Sequence, residues 1–253
     1  MALTRRVELK SPAEIEKMRV AGRLLRSVFD EVATMVAPGA TTWELDATAR
    51  RMIEAAGARP AFLGYKGFPA TLCTSLNDEV VHGFPNHRPL IDGDIVSVDC
   101  GLVLAGYYAD TATTFGVGKI QPHAKRLLDV TAESLRRAIA AAKVDARLGD
   151  IGAAVQDYVE SEGFSVVRDY TGHGIGRALH EPPEVHNFGK PGTGQRLKAG
   201  LVIAIEPMVN TGTYKTRTLD DEWTVVTADG GLSAHFEHTV AVTDDGPVIL
   251  TAA

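Results

Sequence analysis

Three histidines and several glycines share one short segment of the chain, YTGHGIGRALHEPPEVHNFG at residues 170–189. The histidines are His173, His180 and His186, and glycines stand on both sides of the first. A helical zinc motif needs histidines four positions apart, but the Pro-Pro pair shortly after His180 prevents a helix there. The glycine spacing also fits neither a dinucleotide-binding fingerprint nor a phosphate-binding loop. The segment is therefore predicted to be extended or looped, with its histidines positioned by strand and turn geometry.

Four carboxylates occur within or at the ends of apolar, strand-like runs. In chain order they are Asp99 in DIVSVDCG, Asp110 in YYADTATTF, Glu206 in LVIAIEP and Glu237 in HFEHTVAV. A carboxylate inside an apolar strand is costly unless something neutralises it. These four side chains, together with His173, are therefore candidates for a functional site.

The first two of these carboxylates are expected to lie close together. If the chain folds into a hairpin between Leu104 and Ala105, Asp99 and Asp110 lie directly across from each other on neighbouring strands. Two like charges at that distance repel, so either one carboxyl group is protonated or a cation lies between them.

The four carboxylates and His173 have the chemistry of a metal site. Carboxylates suit hard cations, and a single imidazole adds a borderline ligand. Four negative charges exceed what one divalent ion balances, whereas two ions roughly 3.5 to 4 Å apart would share bridging oxygens. Such a pair activates water near neutral pH and polarises a carbonyl group, so the pattern favours a hydrolase.

The other histidines divide into two groups. His180 follows His173 by seven residues, beyond a glycine turn, and is expected to act on the substrate. His82 ends a short strand before a Gly-Phe-Pro turn and is expected to face the same cavity. Surface or packing roles fit the remaining histidines better, at positions 87, 123, 186, 235 and 238.

Composition indicates a globular protein in a reducing compartment. The chain has 253 residues, is 45% hydrophobic and carries a net charge of −6 without a basic run, which argues against nucleic-acid binding. No apolar stretch approaches a membrane span, and the start MALTRRVELK is no secretory signal. Two cysteines, Cys73 and Cys100, are too few for a disulfide framework, so the cytoplasm is the expected location.

A weak internal repeat relates the two halves of the chain. Capping boxes at Ser11 and Thr41 predict two helices, and QPHAKRLLDVTAESLRRAIAAA with DIGAAVQDYVESEG predicts a second pair about 108 residues later. Strand-like sequence follows each pair: ATLCTSL, DIVSVDC and YYADTATTF, then SVVRDYT, LVIAIEP, EWTVVTA and HFEHTVAVT. We expect a single catalytic domain over residues 1–253, with pseudo-twofold halves at about 10–120 and 121–250 that share one curved sheet. A ligand site is expected where the halves meet.

The motifs, in this order, resemble those of type I methionine aminopeptidases. The matching stretches are NDEVVHGFP, SVDCG, YYADTATTF, YTGHGIGRALHEPPEVHNFG, LVIAIEPM and DEWTVVTADGGLSAHFEHTVAVT, and the likeness extends over roughly residues 10–250. The resemblance implies the "pita-bread" fold, an α/β (α+β) architecture whose two pseudo-twofold-related halves share a central curved antiparallel sheet flanked by helices. It also implies removal of an initiator methionine from nascent proteins when the second residue is small.

The same resemblance implies two divalent metal ions, with Co, Mn, Fe(II) and Zn as the candidates. The ligands that it implies are Asp99, Asp110, His173, Glu206 and Glu237. Asp99 and Asp110 would hold one ion, and Asp110 would also bridge to the other. His173 and Glu206 would hold that second ion, and Glu237 would bridge both. A monovalent cation near Asn77 and Ser233 is also implied.

Catalytic and substrate-binding residues follow from the resemblance in the same way. Glu206 is the implied general base, His180 would stabilise the oxyanion, and His82 would donate toward the scissile nitrogen or the next amide. The methionine side chain would occupy a pocket formed, besides the two histidines, by Tyr65, Phe68, Cys73 and Trp223.

The implied partners are nascent polypeptides with N-terminal methionine, which the protein would encounter through transient association with ribosomes. We expect a monomer that binds neither membranes nor specific nucleic acids. Met1 and Ala2 of this chain form such a substrate themselves. One alternative is a proline-specific dipeptidase or aminopeptidase of the same fold, which usually carries an additional N-terminal domain for which we expect this chain to have no room. The other is a non-catalytic peptide- or ribosome-binding relative, in which ligands would be lost or basic insertions gained.

Overall fold

The computed structural model describes residues 7–252, so the dipeptide Met1-Ala2 lies outside the described residues. No helix within that range is long and apolar enough to cross a membrane. The helices found there are α1 Pro12–Met35, α2 Thr42–Ala55, α3 Pro122–Ala141 and α4 Leu148–Ser161.

Both predicted capping boxes begin a helix. Ser11 Oγ accepts a hydrogen bond from the backbone N–H of Glu14, and the Glu14 carboxylate accepts one from the backbone N–H of Ser11 at 2.9 Å. Thr41 and Glu44 form the same reciprocal pair before α2. At the N-terminus of each of these two helices, two backbone N–H groups that would otherwise lack a partner are hydrogen-bonded. The starts of α1 and α2 are therefore set by local sequence.

The strands are short apart from one long hairpin. Within the described residues they are β1 Arg59–Pro60, β2 Leu72–Leu76, β3 Glu79–Val81, β4 Ile95–Leu104, β5 Tyr107–Gly116, β6 Ser165–Val166, β7 Gly172–Gly174, β8 Glu181–Val185, β9 Val202–Ile205, β10 Met208–Asn210, β11 Thr216–Thr218, β12 Val225–Thr227, β13 Ser233–His235, β14 Glu237–Thr243 and β15 Gly246–Ile249.

A nine-stranded antiparallel sheet joins the two predicted halves. Its order is β1-β4-β5-β14-β9-β7-β8, with β2 paired to β4 and β15 paired to β14. The halves meet where β5 pairs with β14, with Glu237 opposite Ala112. The prediction of a mixed α/β fold built on a central antiparallel sheet is therefore confirmed.

Strand periodicity sends alternate side chains to opposite faces of this sheet. On β4, Val96 and Val98 pack with α1 and α2 in one apolar core, and on β14 Val240 and Val242 pack with α3 and α4 in another. Because Asp99 and its counterparts on the other strands occupy the alternate positions, they point away from the helices. The helices thus cover one face and leave the other to the polar cluster.

The β4–β5 hairpin turns one position later than we predict from the sequence, which shifts the pairing of the two strands by two residues. The turn residues are Ala105 and Gly106, both with positive φ angles, 50° and 82°, as two-residue hairpin loops of the primed types favour. Asp110 therefore lies opposite Gly101, and Asp99 lies opposite Ala112. The expectation that the two aspartates are directly opposed is wrong, but a shift of two residues keeps both on the same face.

Two predicted strands lie outside the main sheet. SVVRDYT contributes only the two residues of β6, which pair with β10 in a three-stranded sheet. EWTVVTA contributes β12, which pairs with β3 and β11 in another. Propensity alone marks both as strands, but strand partners are chosen by tertiary packing.

Candidate metal centre

All five predicted metal ligands line one cavity on the helix-free face of the sheet. Asp110, His173 and Glu237 offer ligand atoms that all lie within 4.8 Å of one another. His173 Nε2 is 3.6 Å from Glu206 Oε1 and 4.0 Å from Asp110 Oδ2. Asp99 borders the same cavity from β4, the strand next to β5, which carries Asp110.

Glycines around His173 let three segments approach closely. A Cβ at Gly172 would lie 2.3 Å from the Ala204 carbonyl oxygen, and one at Gly174 would lie 2.3 Å from that of Pro182. Only glycine fits such contacts without moving the backbone. Glycine at positions 172 and 174 therefore permits close packing of the backbone around His173.

The His173 ring is held in one tautomer. Its Nδ1 donates to the carbonyl oxygen of Gly174 at 2.9 Å, and a carbonyl oxygen can only accept. The lone pair of Nε2 therefore faces the carboxylates, as metal-binding histidines require.

The electrostatics of the cluster favour bound cations. Burial, followed by repulsion between the carboxylates, raises the pKa of Asp99, Glu206 and Glu237 well above their ordinary values. Burial also raises the pKa of Asp110 to about 7 and lowers that of His173 to about 3. Two buried carboxylates, Asp110 and Glu237, and two half-buried ones, Asp99 and Glu206, thus repel one another unless a cation lies between them.

Unpaired oxygens within the cluster provide a second test of whether a cation fits. Asp99 Oδ1, Asp110 Oδ1 and Glu237 Oε1 are buried and have no hydrogen-bond partner among the described residues. Buried oxygens of this kind normally have partners. These carboxylate oxygens and the lone pair of His173 Nε2 border the same cavity, and oxygen and imidazole nitrogen are donors that divalent metal ions accept.

The cavity has an apolar end beside the acidic cluster. Every predicted pocket residue lines it: Tyr65, Phe68, Cys73 and Trp223. Phe68 meets Trp223 edge-on, with ring centroids 5.1 Å apart. Phe62 and Leu179 also line the cavity, and both are buried.

The two predicted auxiliary histidines border the same cavity. His180 stacks on Tyr65, and its Nδ1 is 2.9 Å from the Tyr65 hydroxyl oxygen. His82 has a positive φ of 63° and meets Tyr170 and Trp223 edge-on. Burial lowers the pKa of each imidazole to about 4, so both are neutral at neutral pH and each carries one N–H donor.

One cavity residue departs from the sequence-based assignment. His235 was expected at the surface or in general packing, but it is buried, lines the cavity, and its Nε2 lies 3.7 Å from Glu206 Oε2. The sequence could have indicated this position, because His235 lies two residues before Glu237 and alternate residues of a strand share a face.

The two residues expected near a monovalent cation, Asn77 and Ser233, are not among those that line this cavity. Ser233 N donates to the Asn77 carbonyl oxygen at 2.8 Å, and Asn77 Oδ1 accepts from Ile95 N. Ser233 Oγ is buried and has no partner among residues 7–252.

This combination of fold and site defines the class of protein as a metal-dependent hydrolase with a pocket for an apolar side chain. Residues 16–244 match the model of metallopeptidase family M24. The chain is 56% identical to a methionine aminopeptidase of Clostridium perfringens, over 96% of this chain and 98% of that one. It is 51% identical to methionine aminopeptidase 1 of Bacillus subtilis, with 96% and 98% covered.

A solved structure extends the likeness to three dimensions. Methionine aminopeptidase from Rickettsia prowazekii superposes with a TM-score of 0.96 at 44% identity, covering 98% of this chain and 100% of that chain. An Xaa-Pro dipeptidase from Bacillus anthracis, at 20% identity and TM-score 0.77, shares the fold. The chain belongs to metallopeptidase family M24, in the branch of the methionine aminopeptidases, which confirms the resemblance and the pita-bread fold seen in its sequence.

Proposed function

We infer that the protein is a methionyl aminopeptidase that removes N-terminal methionine from polypeptides whose second residue is small. The observation that carries this function is a single cavity in which an apolar, aromatic end adjoins a buried acidic cluster. A thioether gains free energy from burial at the aromatic end. The negative cluster attracts the free α-amino group of a chain terminus, which favours a terminal residue over an internal one.

Two divalent ions are proposed to bind at the acidic cluster, with Co, Mn, Fe(II) and Zn as candidates. When bound, they would supply Lewis-acid activation of water and of the scissile carbonyl. The proposed ligands are Asp99, Asp110, His173, Glu206 and Glu237. A separate monovalent cation near Asn77 would use the unpaired Ser233 Oγ.

The remaining chemistry is assigned to three side chains. Glu206, proposed as the general base, points a carboxylate into the cavity from the end of β9. His180 would donate to the oxygen that becomes negative during attack, and a neutral imidazole can do so without a preceding proton transfer. His82, on the other side near Trp223, would donate toward the leaving amide.

The proposed substrates are nascent polypeptides, which carry their initiator methionine where they are made. We therefore propose a cytoplasmic location and a transient association with ribosomes. The net charge of −6 argues against tight or specific binding to nucleic acid. We further propose that the protein acts as a monomer.

Cleavage is expected to depend strongly on the second residue of the substrate. Met-Ala-Ser should release methionine, whereas Met-Leu-Ser should be slower by about tenfold to a hundredfold, because a bulky side chain overpacks a rigid passage. Free methionine released by the metal-supplemented enzyme measures both rates. Equal release from the two peptides would remove the preference for small residues, and cleavage confined to Ala-Pro-Ser would establish the proline-specific alternative instead.

The Tyr65 hydroxyl is expected to contribute to turnover through His180. If it donates to Nδ1, the proton of the imidazole resides on Nε2 and can be donated to substrate. Tyr65→Phe keeps the aromatic wall and removes one hydrogen bond, so kcat should fall about three- to tenfold with little change in KM. Tyr158→Phe, on α4, is the matched control and should leave both constants unchanged. An unchanged kcat in Tyr65→Phe would show that the hydroxyl has no such role.

A further inference from the structure

A buried lysine lies close to the candidate site without belonging to it. Lys10 directly precedes the N-cap of α1 and is only 4% exposed. Its Nζ lies 2.6 Å from Glu181 Oε2 and 3.1 Å from the Glu8 carbonyl oxygen. A lysine is rarely buried unless its charge is paired, so the burial of Lys10 depends on the Glu181 carboxylate.

The partner carboxylate also holds a loop. Glu181 Oε1 accepts hydrogen bonds from the backbone N–H groups of Arg177 at 2.6 Å and Ala178 at 3.0 Å. Glu181 therefore closes the loop of residues 176–180 on itself with one oxygen, while the other oxygen binds Lys10. That loop ends at His180, the residue directly before Glu181.

The loop is fitted closely around the lysine. A Cβ at Gly176 would lie 2.2 Å from Lys10 Cε, so the lysine stem passes where a side chain would otherwise be. The Gly176 carbonyl oxygen accepts from Tyr108 N at 2.8 Å. Arg177 Nη2 binds Glu14 Oε1 at 3.1 Å, which ties the same loop to α1. Contacts with Lys10, Tyr108 and Glu14 thus hold the loop on the side away from the cavity. Leu179 and His180 line the cavity on its other side.

We propose that the Lys10–Glu181 ion pair is a positioning device for His180. It keeps the carboxylate folded over the loop amides, and the loop then presents the imidazole to the substrate at a fixed place. Without Lys10, the Glu181 carboxylate, whose side chain is 11% exposed, loses its counter-charge, turns toward water and releases the two amides. The effect on turnover rests on the proposed function, but the effect on the loop does not.

The test compares Lys10→Met, Glu181→Gln and the double variant. In Lys10→Met, the amides of Arg177 and Ala178 should exchange with deuterium at least tenfold faster, and kcat for Met-Ala-Ser should fall about tenfold with KM and metal content nearly unchanged. The double variant Lys10→Met/Glu181→Gln should recover much of the slow amide exchange and much of kcat. The glutamine carbonyl oxygen still accepts hydrogen bonds from the amides of Arg177 and Ala178, and no unpaired charge is buried.

Lys125→Met is the matched control, since Lys125 forms an exposed ion pair with Asp129 on α3. It should change neither exchange in the loop nor kcat. If Lys10→Met lowers thermal stability while loop exchange and kcat per folded, metal-loaded molecule stay at wild-type values, the ion pair is only structural and the proposal is wrong. If wild-type protein fails to release methionine, the proposed function fails instead, and the exchange comparison still decides whether the pair holds the loop.

Discussion

Removing divalent metal is expected to abolish methionine release and to lower the temperature of thermal unfolding, with a loss of stability that grows as pH rises. Activity should be lost because the cluster then holds repelling carboxylates and no Lewis acid. Addition of Mn, Fe(II) or Co should restore both properties. Methionine release from Met-Ala-Ser and the unfolding temperature, measured with chelator and after metal addition, check this result.

The pH dependence follows from the direction of the pKa shifts. Folding raises the pKa of Asp110 to about 7 and raises those of Asp99, Glu206 and Glu237, in each case chiefly through burial. In the unfolded chain such groups titrate near pH 4. A group with a raised folded pKa contributes full stability below the unfolded value and loses it as pH rises through the folded value. The carboxylates should therefore destabilise metal-free protein increasingly from about pH 4 to pH 7 and above. Folding lowers the pKa of the imidazoles of His82, His173 and His180 from 6.5 to about 4, 3 and 4, which opposes this trend below pH 6.5, so the net loss of stability is expected above about pH 6.5.

Asp99→Asn provides the control for this explanation. It removes one ionisable group from the cluster and preserves the shape of the side chain. The metal-free variant should unfold at a higher temperature than metal-free wild type at pH 8, with a smaller difference at pH 5, yet it should gain less from added metal. If metal-free wild-type protein hydrolyses Met-Ala-Ser at the full rate, the metal-dependent mechanism is wrong.

The gathering of the candidate ligands in one cavity could be predicted from local sequence. Asp99 and Glu206 each end an apolar run, and Glu237 interrupts another, where an uncompensated carboxylate would be costly. Strand periodicity then sends them to the face that the helices do not cover. The helix starts were equally local, because the capping boxes at Ser11 and Thr41 need only residues three positions apart.

Other features depended on contacts that local sequence does not encode. The register of the β4–β5 hairpin is set by a left-handed Ala105, a conformation that is uncommon for alanine and is not signalled by its neighbours. The position of His235 beside Glu206 requires two separate strands to meet at the cavity. The Lys10–Glu181 pair joins residues 171 positions apart, so neither residue's surroundings indicate the other.

The two central histidines are expected to fail in different ways when removed. His173 is buried, its Nδ1 is engaged by a carbonyl oxygen, and its free Nε2 faces the carboxylates, so His173→Ala should lose bound metal together with activity. His180 touches His173 only through its ring, at 4.2 Å between centroids, and is held from behind by Tyr65. His180→Ala should therefore retain metal while kcat falls by about 10²-fold or more, the usual scale for one lost oxyanion donor.

Metal content by elemental analysis and turnover of Met-Ala-Ser, measured on the same preparations, distinguish these two roles. His186→Ala is the matched control, because His186 is an exposed imidazole on the neighbouring strand end and does not line the cavity. It should keep both metal and turnover. Equal metal loss in the His173 and His180 variants would place His180 among the ligands, and an unchanged kcat in His180→Ala would mean that the negative charge on the carbonyl oxygen is stabilised without this imidazole.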